Sequence, residues 1–276
     1  MTEFTDRDPE EVPRIEEALK VWAESKRTVV LTGAGISTES GLVDFRSPQG
    51  LWKQVNPAQV ASIWALEYSP EEFFRFYRER LDTMRHALPN KGHVALARLE
   101  AAGFVSTVVT QNIDGLHQKA GSRSVYEVHG DLRSAFCMGC RRRFPIDVIL
   151  EGGSGVRLDG LIPRCKSCGG TVRPNVVLFG EGLPSDIFRA AQSEATLCDL
   201  FIAIGSSLEV GPVNSLVSIA KYHGAHVMII NREPTYMNNL ADIFLQCSAG
   251  PVLSWISEKL TGAAPGESGR SAGELR

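Results

Sequence analysis

The spacing of apolar positions divides this chain into helices and short buried strands. Val12, Ile15, Leu19 and Trp22 fall on one stripe and predict an amphipathic helix over 10–27. The run 28–32, Thr-Val-Val-Leu-Thr, has an apolar centre and four β-branched residues, the pattern of a short buried strand. Residues 69–88 carry helical periodicity behind a capping box, Ser69 and Glu72. Residues 93–102 predict another helix, closed by Gly103. Further strands are expected at 104–109, 124–128, 176–179, 200–204, 227–230 and 242–246, and further helices at 184–197, 213–223 and 252–260. Strands alternating with helices imply an α/β fold, a parallel sheet covered on both faces.

Ligands of such sheets bind beyond the carboxyl ends of the strands, and two loops there carry chemistry. Gly33-Ala34-Gly35-Ile36-Ser37 follows the first strand. Its glycines let the backbone approach a phosphate, and a helix start would add free N–H groups; a plain tight turn is the alternative. No Gly-Lys-Ser/Thr completes a phosphate loop, and Gly41 comes too late for Gly-x-Gly-x-x-Gly. After the 104–109 strand comes Thr110-Gln111-Asn112-Ile113-Asp114-Gly115-Leu116-His117. This cluster fits a nucleotide ribose handled by amides and a carboxylate rather than by the acid of a dehydrogenase. Asp44-Phe45-Arg46 admits two readings: a loop in which Phe45 covers a planar group and Arg46 meets phosphate or ribose, or a buried ring beside a surface ion pair. His129, between the 124–128 strand and Gly130, is either a general base or a structural imidazole.

Region 131–172 has a different texture, with four cysteines, Arg141-Arg142-Arg143 and glycines at 152–155, and it reads as an inserted module. The 276 residues leave room for a large domain with a small insert. No apolar run nears the roughly 20 residues of a membrane helix, and the polar start Met1–Asp6 is not a secretory signal, so the cytoplasm is the default location. In a reducing compartment the six cysteines call for metal, catalysis or burial. Cys137-x-x-Cys140 and Cys165-x-x-Cys168, 24 residues apart, make two knuckles of one tetrahedral zinc site. Four thiolates leave no open position, so this zinc is structural. Cys198 and Cys247 lie in or beside apolar segments and read as buried thiols. A net charge of -3, from 29 basic and 32 acidic residues, argues against wholesale nucleic-acid binding.

Taken together, these segments resemble the sirtuins of prokaryotic type, NAD-dependent protein lysine deacylases. The matching stretches are 33–46, 110–117, His129-Gly130, both cysteine pairs, 174–181, 205–210 and Ile230-Asn231. Together they run in the family's order over roughly residues 15 to 260. The resemblance implies a Rossmann-like NAD-binding domain (1–46, 89–130 and 173–262). It also implies a small domain made of a helical insert (47–88) and the zinc module (131–172), and a disordered tail (263–276). It places Ala34, Thr38 and Arg46 on the phosphates or nearby ribose, and Phe45 over the reacting ribose carbon. Gln111 and Asn112 then position the nicotinamide ribose, while Ile113 and Asp114 hold the carboxamide. Ser206, Ser207, Asn231 and Ser248 line the adenosine end.

By the same resemblance the acyl oxygen attacks the ribose as nicotinamide leaves, and His129 assists deprotonation of a ribose hydroxyl. The products are nicotinamide, free lysine and 2′-O-acyl-ADP-ribose. The acylated peptide is expected to add as a strand between 177–181 and 207–210, touching Val177, Phe179, Gly180 and Glu181. Val43 and Ser206 depart from the family's frequent proline and threonine. Tyr77-x-x-Arg80, with Ala61 upstream, resembles the pocket of members that remove succinyl or malonyl groups; an amphipathic helix with an exposed Arg80 explains the same residues. Two rival functions are compatible with parts of the sequence: a mono-ADP-ribosyltransferase, and a non-enzymatic zinc ribbon binding nucleic acid through 141–143.

Overall fold

A computed structural model describes residues 11–262; the expected tail at 263–276 lies outside them. The strands in chain order are β1 (Thr28–Thr32), β2 (Thr107–Thr110), β3 (Val125–Glu127), β4 (Gly130–Cys137), β5 (Arg143–Pro145), β6 (Val156–Asp159), β7 (Ile162–Cys165), β8 (Val172–Val176), β9 (Leu200–Ile204), β10 (His226–Ile230) and β11 (Ile243–Leu245). The helices are α1 (Glu11–Glu24), α2 (Pro57–Val60), α3 (Ile63–Tyr68), α4 (Pro70–His86), α5 (Lys91–Ala101), α6 (Leu116–Ala120), α7 (Val148–Glu151), α8 (Ser185–Leu197), α9 (Ser215–Tyr222) and α10 (Ala249–Thr261). Among the described residues, no helix is long and apolar enough to cross a membrane.

Six strands pair in parallel in the order β11-β10-β9-β1-β2-β3. Read from the other edge this is 3-2-1-4-5-6 among the sheet's own strands, the Rossmann order, whose switch point lies between β1 and β9. Every residue of β1, β2 and β9 is buried, as a sheet covered on both faces requires. One core packs α1, α5 and α10 on one face through Ile15, Trp22, Leu96, Leu99 and Leu253. The other face is covered by α8 and α9 through Ala191, Ala195, Leu216 and Val217.

A separate core joins α3 and α4 to the cysteine-bearing strands. Phe73, Phe74, Tyr77 and Leu81 pack with Leu132, Ala135, Phe144, Ile149 and Val172. Each large side chain buried there contributes about 1.5–3 kcal/mol. The two segments set apart by sequence, 47–88 and 131–172, thus share one interior.

Several elements differ from their expected form. The strand expected at 104–109 begins only at Thr107, because the main chain of Phe104 and Val105 turns back to bond the Leu99 carbonyl. The run 176–179 is not a strand of the parallel sheet. Only Val176 is in a strand, β8, which lies antiparallel to β4 in a three-stranded sheet with β5. Residues 173–176 therefore extend the small sheet, although the sequence assigned them to the large unit. Apolar runs of four residues do not reveal which sheet will receive them. Ser69 makes no capping bond; its N–H ends α3 on the Ala65 carbonyl, and Pro70 starts α4. The working capping box is at α5, between Asn90 and His93. On α1, Val12 is exposed, while Ile15, Ala18 and Trp22 are buried.

Candidate functional site

The loops leaving β1 and β9 interlock backbone against backbone. A Cβ on Gly35 would stand 2.7 Å from the Gly205 Cα, and one on Gly205 would stand 2.4 Å from the Ile36 nitrogen. Glycine is thus required on both sides of the switch point. The glycine loop does not open an α-helix with free N–H groups, as expected; it opens a seven-residue 3₁₀ segment. The N–H groups of Gly33, Gly35 and Ile36 already donate to the carbonyls of Ile204, Gly205 and Gly33.

A cleft of about 630 Å³ opens over this point, a volume ordinary for small-molecule sites. Its walls include Ala34, Phe45, Arg46 and Gln111 through Asp114, together with His129. Val177, Phe179, Gly180 and Glu181 line it from one side, Ser206, Ser207 and Asn231 from another, and Ala61, Tyr77 and Arg80 close it. Two expected residues lie outside this lining. Thr38 donates to the Gly35 carbonyl and accepts from Arg232. Ser248 precedes α10 without capping it through its side chain; the Gly250 N–H donates to Glu39 instead.

Local chemistry explains the orientation of each group. Asn112 donates through Nδ2 to the Gly33 carbonyl and to Ser37 Oγ, both at 3.1 Å. Its carbonyl oxygen is then the atom it offers to the cleft. Gln111 reaches Ser206 Oγ at 3.2 Å across the β2–β9 loops. Asp114 is buried, accepting from Ser37 Oγ at 2.8 Å and from the Leu116 N–H at 2.9 Å. Phe45 stacks on Trp52 with ring centres 4.9 Å apart, and Arg46 pairs with Glu209 at 3.3 Å.

The His129 ring places Nδ1 3.0 Å from the Gln111 carbonyl. A carbonyl only accepts, so Nδ1 carries the proton and Nε2 is left as a free base. Burial pushes the His129 pKa below the usual imidazole value; the Gln111 bond opposes this and the nearby Arg46 charge assists it. A neutral imidazole with a bare Nε2 is a competent general base at neutral pH.

Sequence reading missed a layer beneath the cleft. His93 and His117 are buried with ring centres 4.9 Å apart. His93 Nε2 faces Ser37 Oγ at 3.4 Å, and His117 Nε2 bonds Thr32 Oγ1 at 2.9 Å. The Asn-x-x-His spacing of 90–93 was the available signal. Burial holds the His93 pKa down at about 4, against the pull of Asp114, and His117 at about 3, helped by His93. In the unfolded chain both revert to about 6.5. The unfolded state therefore binds more protons below that pH. The stability these neutral rings confer is complete above about pH 6.5 and is lost as pH falls toward 4 and then 3. We expect stability to drop by on the order of 2–4 kcal/mol between pH 7 and 5. Thermal midpoints across this range check it; a flat profile would show that the rings are not held neutral.

The four cysteines fit zinc. Zn–S bonds of about 2.3 Å at tetrahedral angles separate sulfurs by roughly 3.8 Å. Cys137 and Cys168 lie 3.4 Å apart, Cys140 and Cys165 3.8 Å, and all four sulfurs lie within 4.8 Å of one another. Cys198 and Cys247 are buried elsewhere.

The profile of the Sir2 family matches residues 33–212. The chain is 47% identical over 245 residues to NAD-dependent protein deacetylase 1 of Geobacillus kaustophilus, covering 88% of this chain and 97% of that protein. It is 44% identical to NAD-dependent protein deacylase 2 of Archaeoglobus fulgidus, covering 89% and 96%. Among solved structures it resembles a complex of Sir2 with a p53 peptide and NAD+, at TM-score 0.81 and 35% identity, covering 90% and 99%.

Proposed function

Because the chain belongs to the Sir2 family, we propose that it is an NAD-dependent protein lysine deacylase whose substrate and cofactor meet in the cleft over the switch point. The observation that carries this reading is the convergence of Asn112, Asp114 and His129 with Arg46 and the 177–181 segment around one cavity. When bound, NAD+ supplies an ADP-ribosyl group that loses nicotinamide and takes up the acyl group. Gln111 and Asn112 orient the nicotinamide ribose, and Ile113 and Asp114 hold the carboxamide. Phe45, backed by Trp52, shields the reacting carbon from water. His129 takes a proton from a ribose hydroxyl through Nε2. Arg46 exchanges Glu209 for the phosphates, while Ala34, Ser206, Ser207 and Asn231 line the nucleotide end.

The protein substrate lies along 177–181. Phe179 is already engaged there through its N–H to the Ala61 carbonyl and its carbonyl to the Ile63 N–H. The Val177 N–H is likewise engaged, donating to the His129 carbonyl, so the Val177 carbonyl and the main chain of Gly180 carry the pairing, with the Phe179 ring as a wall. Mass spectrometry of an acetyl-peptide incubated with NAD+ tests the whole reading. Labelled ADP-ribose on protein without acyl loss would favour transferase chemistry instead.

The Arg80 guanidinium supports an acidic-acyl preference. It lies 5.3 Å from the Phe45 ring centre, faces the cleft beside buried Tyr77, and has no ion-pair partner among the described residues. Burial lowers its pKa, with Tyr77 and Asp114 opposing. A desolvated cation without a carboxylate in contact is a ready partner for one. We expect Arg80→Met to cut kcat/KM for succinyl-lysine peptides by about 10-fold or more and to change acetyl-lysine turnover little. Succinyl turnover equal to wild type would remove the clamp.

A further inference from the structure

Among the described residues no strand pairs with 177–181 on the cleft side, yet its turn is tightly defined. Glu181 makes it so. One carboxylate oxygen accepts the Leu178 N–H at 2.9 Å, and the Glu181 N–H returns a bond to the Leu178 carbonyl at 2.9 Å. The other carboxylate oxygen accepts from Arg173 Nη2 at 2.5 Å. Arg173 belongs to β8, and its side chain is buried. Its Nη1 donates to the Val176 carbonyl at 3.0 Å, and its guanidinium lies 4.7 Å from the centre of the Phe136 ring. Phe136 sits in β4 beside Cys137, so this one guanidinium joins the cysteine-bearing sheet to the turn that faces the cleft.

With Arg173 buried and Glu181 half-buried, the ion pair is a poor device for stability alone, because desolvation offsets much of its attraction. Its geometric value is high: two arms of one planar group fix both a strand end and a carboxylate. We propose that Arg173 is a positioning residue for the protein substrate, acting through Glu181 to hold the Leu178–Glu181 turn in register for the incoming peptide. The proposal rests on the reading of 177–181 as the peptide edge. Arg173 touches neither reacting atom; without it, Glu181 swings, Leu178 loses its acceptor, and the edge must be ordered by the peptide itself. That ordering weakens peptide binding and leaves the nucleotide end, on the far loops, as it was.

The test is steady-state kinetics with an acetyl-lysine peptide and NAD+. Arg173→Met should raise the peptide KM about 10-fold, with the NAD+ KM within about 2-fold of wild type. Arg173→Lys, which keeps a charge for Glu181 but not the second arm, should recover part of the loss. In a Glu181→Gln background, Arg173→Met should add little, because both act on one turn. If Arg173→Met does not accumulate as folded protein, Glu181→Gln alone is read in the same way. An unchanged peptide KM, equal rises in both KM values, or full additivity of the two changes would each overturn the proposal. Absence of acyl-dependent nicotinamide release from the wild-type protein would instead overturn the deacylase reading itself.

Discussion

Replacing His129 by alanine should lower deacylation by about 10²- to 10⁴-fold while leaving exchange of labelled nicotinamide into NAD+ measurable. The Gln111 carbonyl fixes the proton on Nδ1, so the group lost is a single bare Nε2 aimed into the cleft. A base that acts on a ribose hydroxyl is needed only after the glycosidic bond has opened. In the proposed reading the side chains that orient the ribose and hold the carboxamide, those of Gln111, Asn112 and Asp114, keep their own hydrogen bonds in this variant. Parallel assays of acyl release and nicotinamide exchange check this. If both fall together, His129 shapes the site rather than serving as its base. If neither falls, another group takes the proton.

The largest stability effect is expected from the metal. Removing zinc by chelation, or replacing Cys165 by serine, should unfold the small unit and abolish acyl-peptide turnover. Binding of structural zinc contributes on the order of 10 kcal/mol to folding in small modules, comparable to the whole stability of a domain. Cys137 and Cys165 are themselves buried in the core that α4 shares with the cysteine-bearing strands. Loss of the ion should therefore also loosen Tyr77, which packs in that core. Metal content, calorimetry and turnover measured on the same sample decide the matter. Full activity in a zinc-free protein would reduce the cluster to a bystander.

Much of this was legible in the residues, for reasons that can be stated. The parallel sheet showed because β1, β2 and β9 are apolar on both faces, and the zinc site showed because its ligands come as close pairs. What failed to show depended on distant partners. The 176–179 run looks like any buried strand, and only the pairing of β8 with β4 assigns it. Ser69 has the side chain of a cap, but the end of α3 claims its backbone first. Thr38 and Ser248 lie just outside the cleft lining, Thr38 bonded to the Gly35 carbonyl and to Arg232, and Ser248 at the start of α10. The Asn90-x-x-His93 spacing signals a helix start, but His93 and His117 meet only when α5 and α6 pack side by side, which that spacing does not announce.

The shared core of the small unit has a consequence for how the protein is made. Phe73 and Phe74 leave the ribosome about 90 residues before Cys165 and Val172, with which they pack. At about 5–20 residues per second, these rings wait roughly 5 to 20 seconds for those partners. Through that interval α4 shows its aromatic face to water or to a chaperone, and the first cysteine pair has no second pair with which to close around metal. Nascent chains stopped before Cys165 should therefore be the most chaperone-dependent and protease-sensitive on the way to the finished protein.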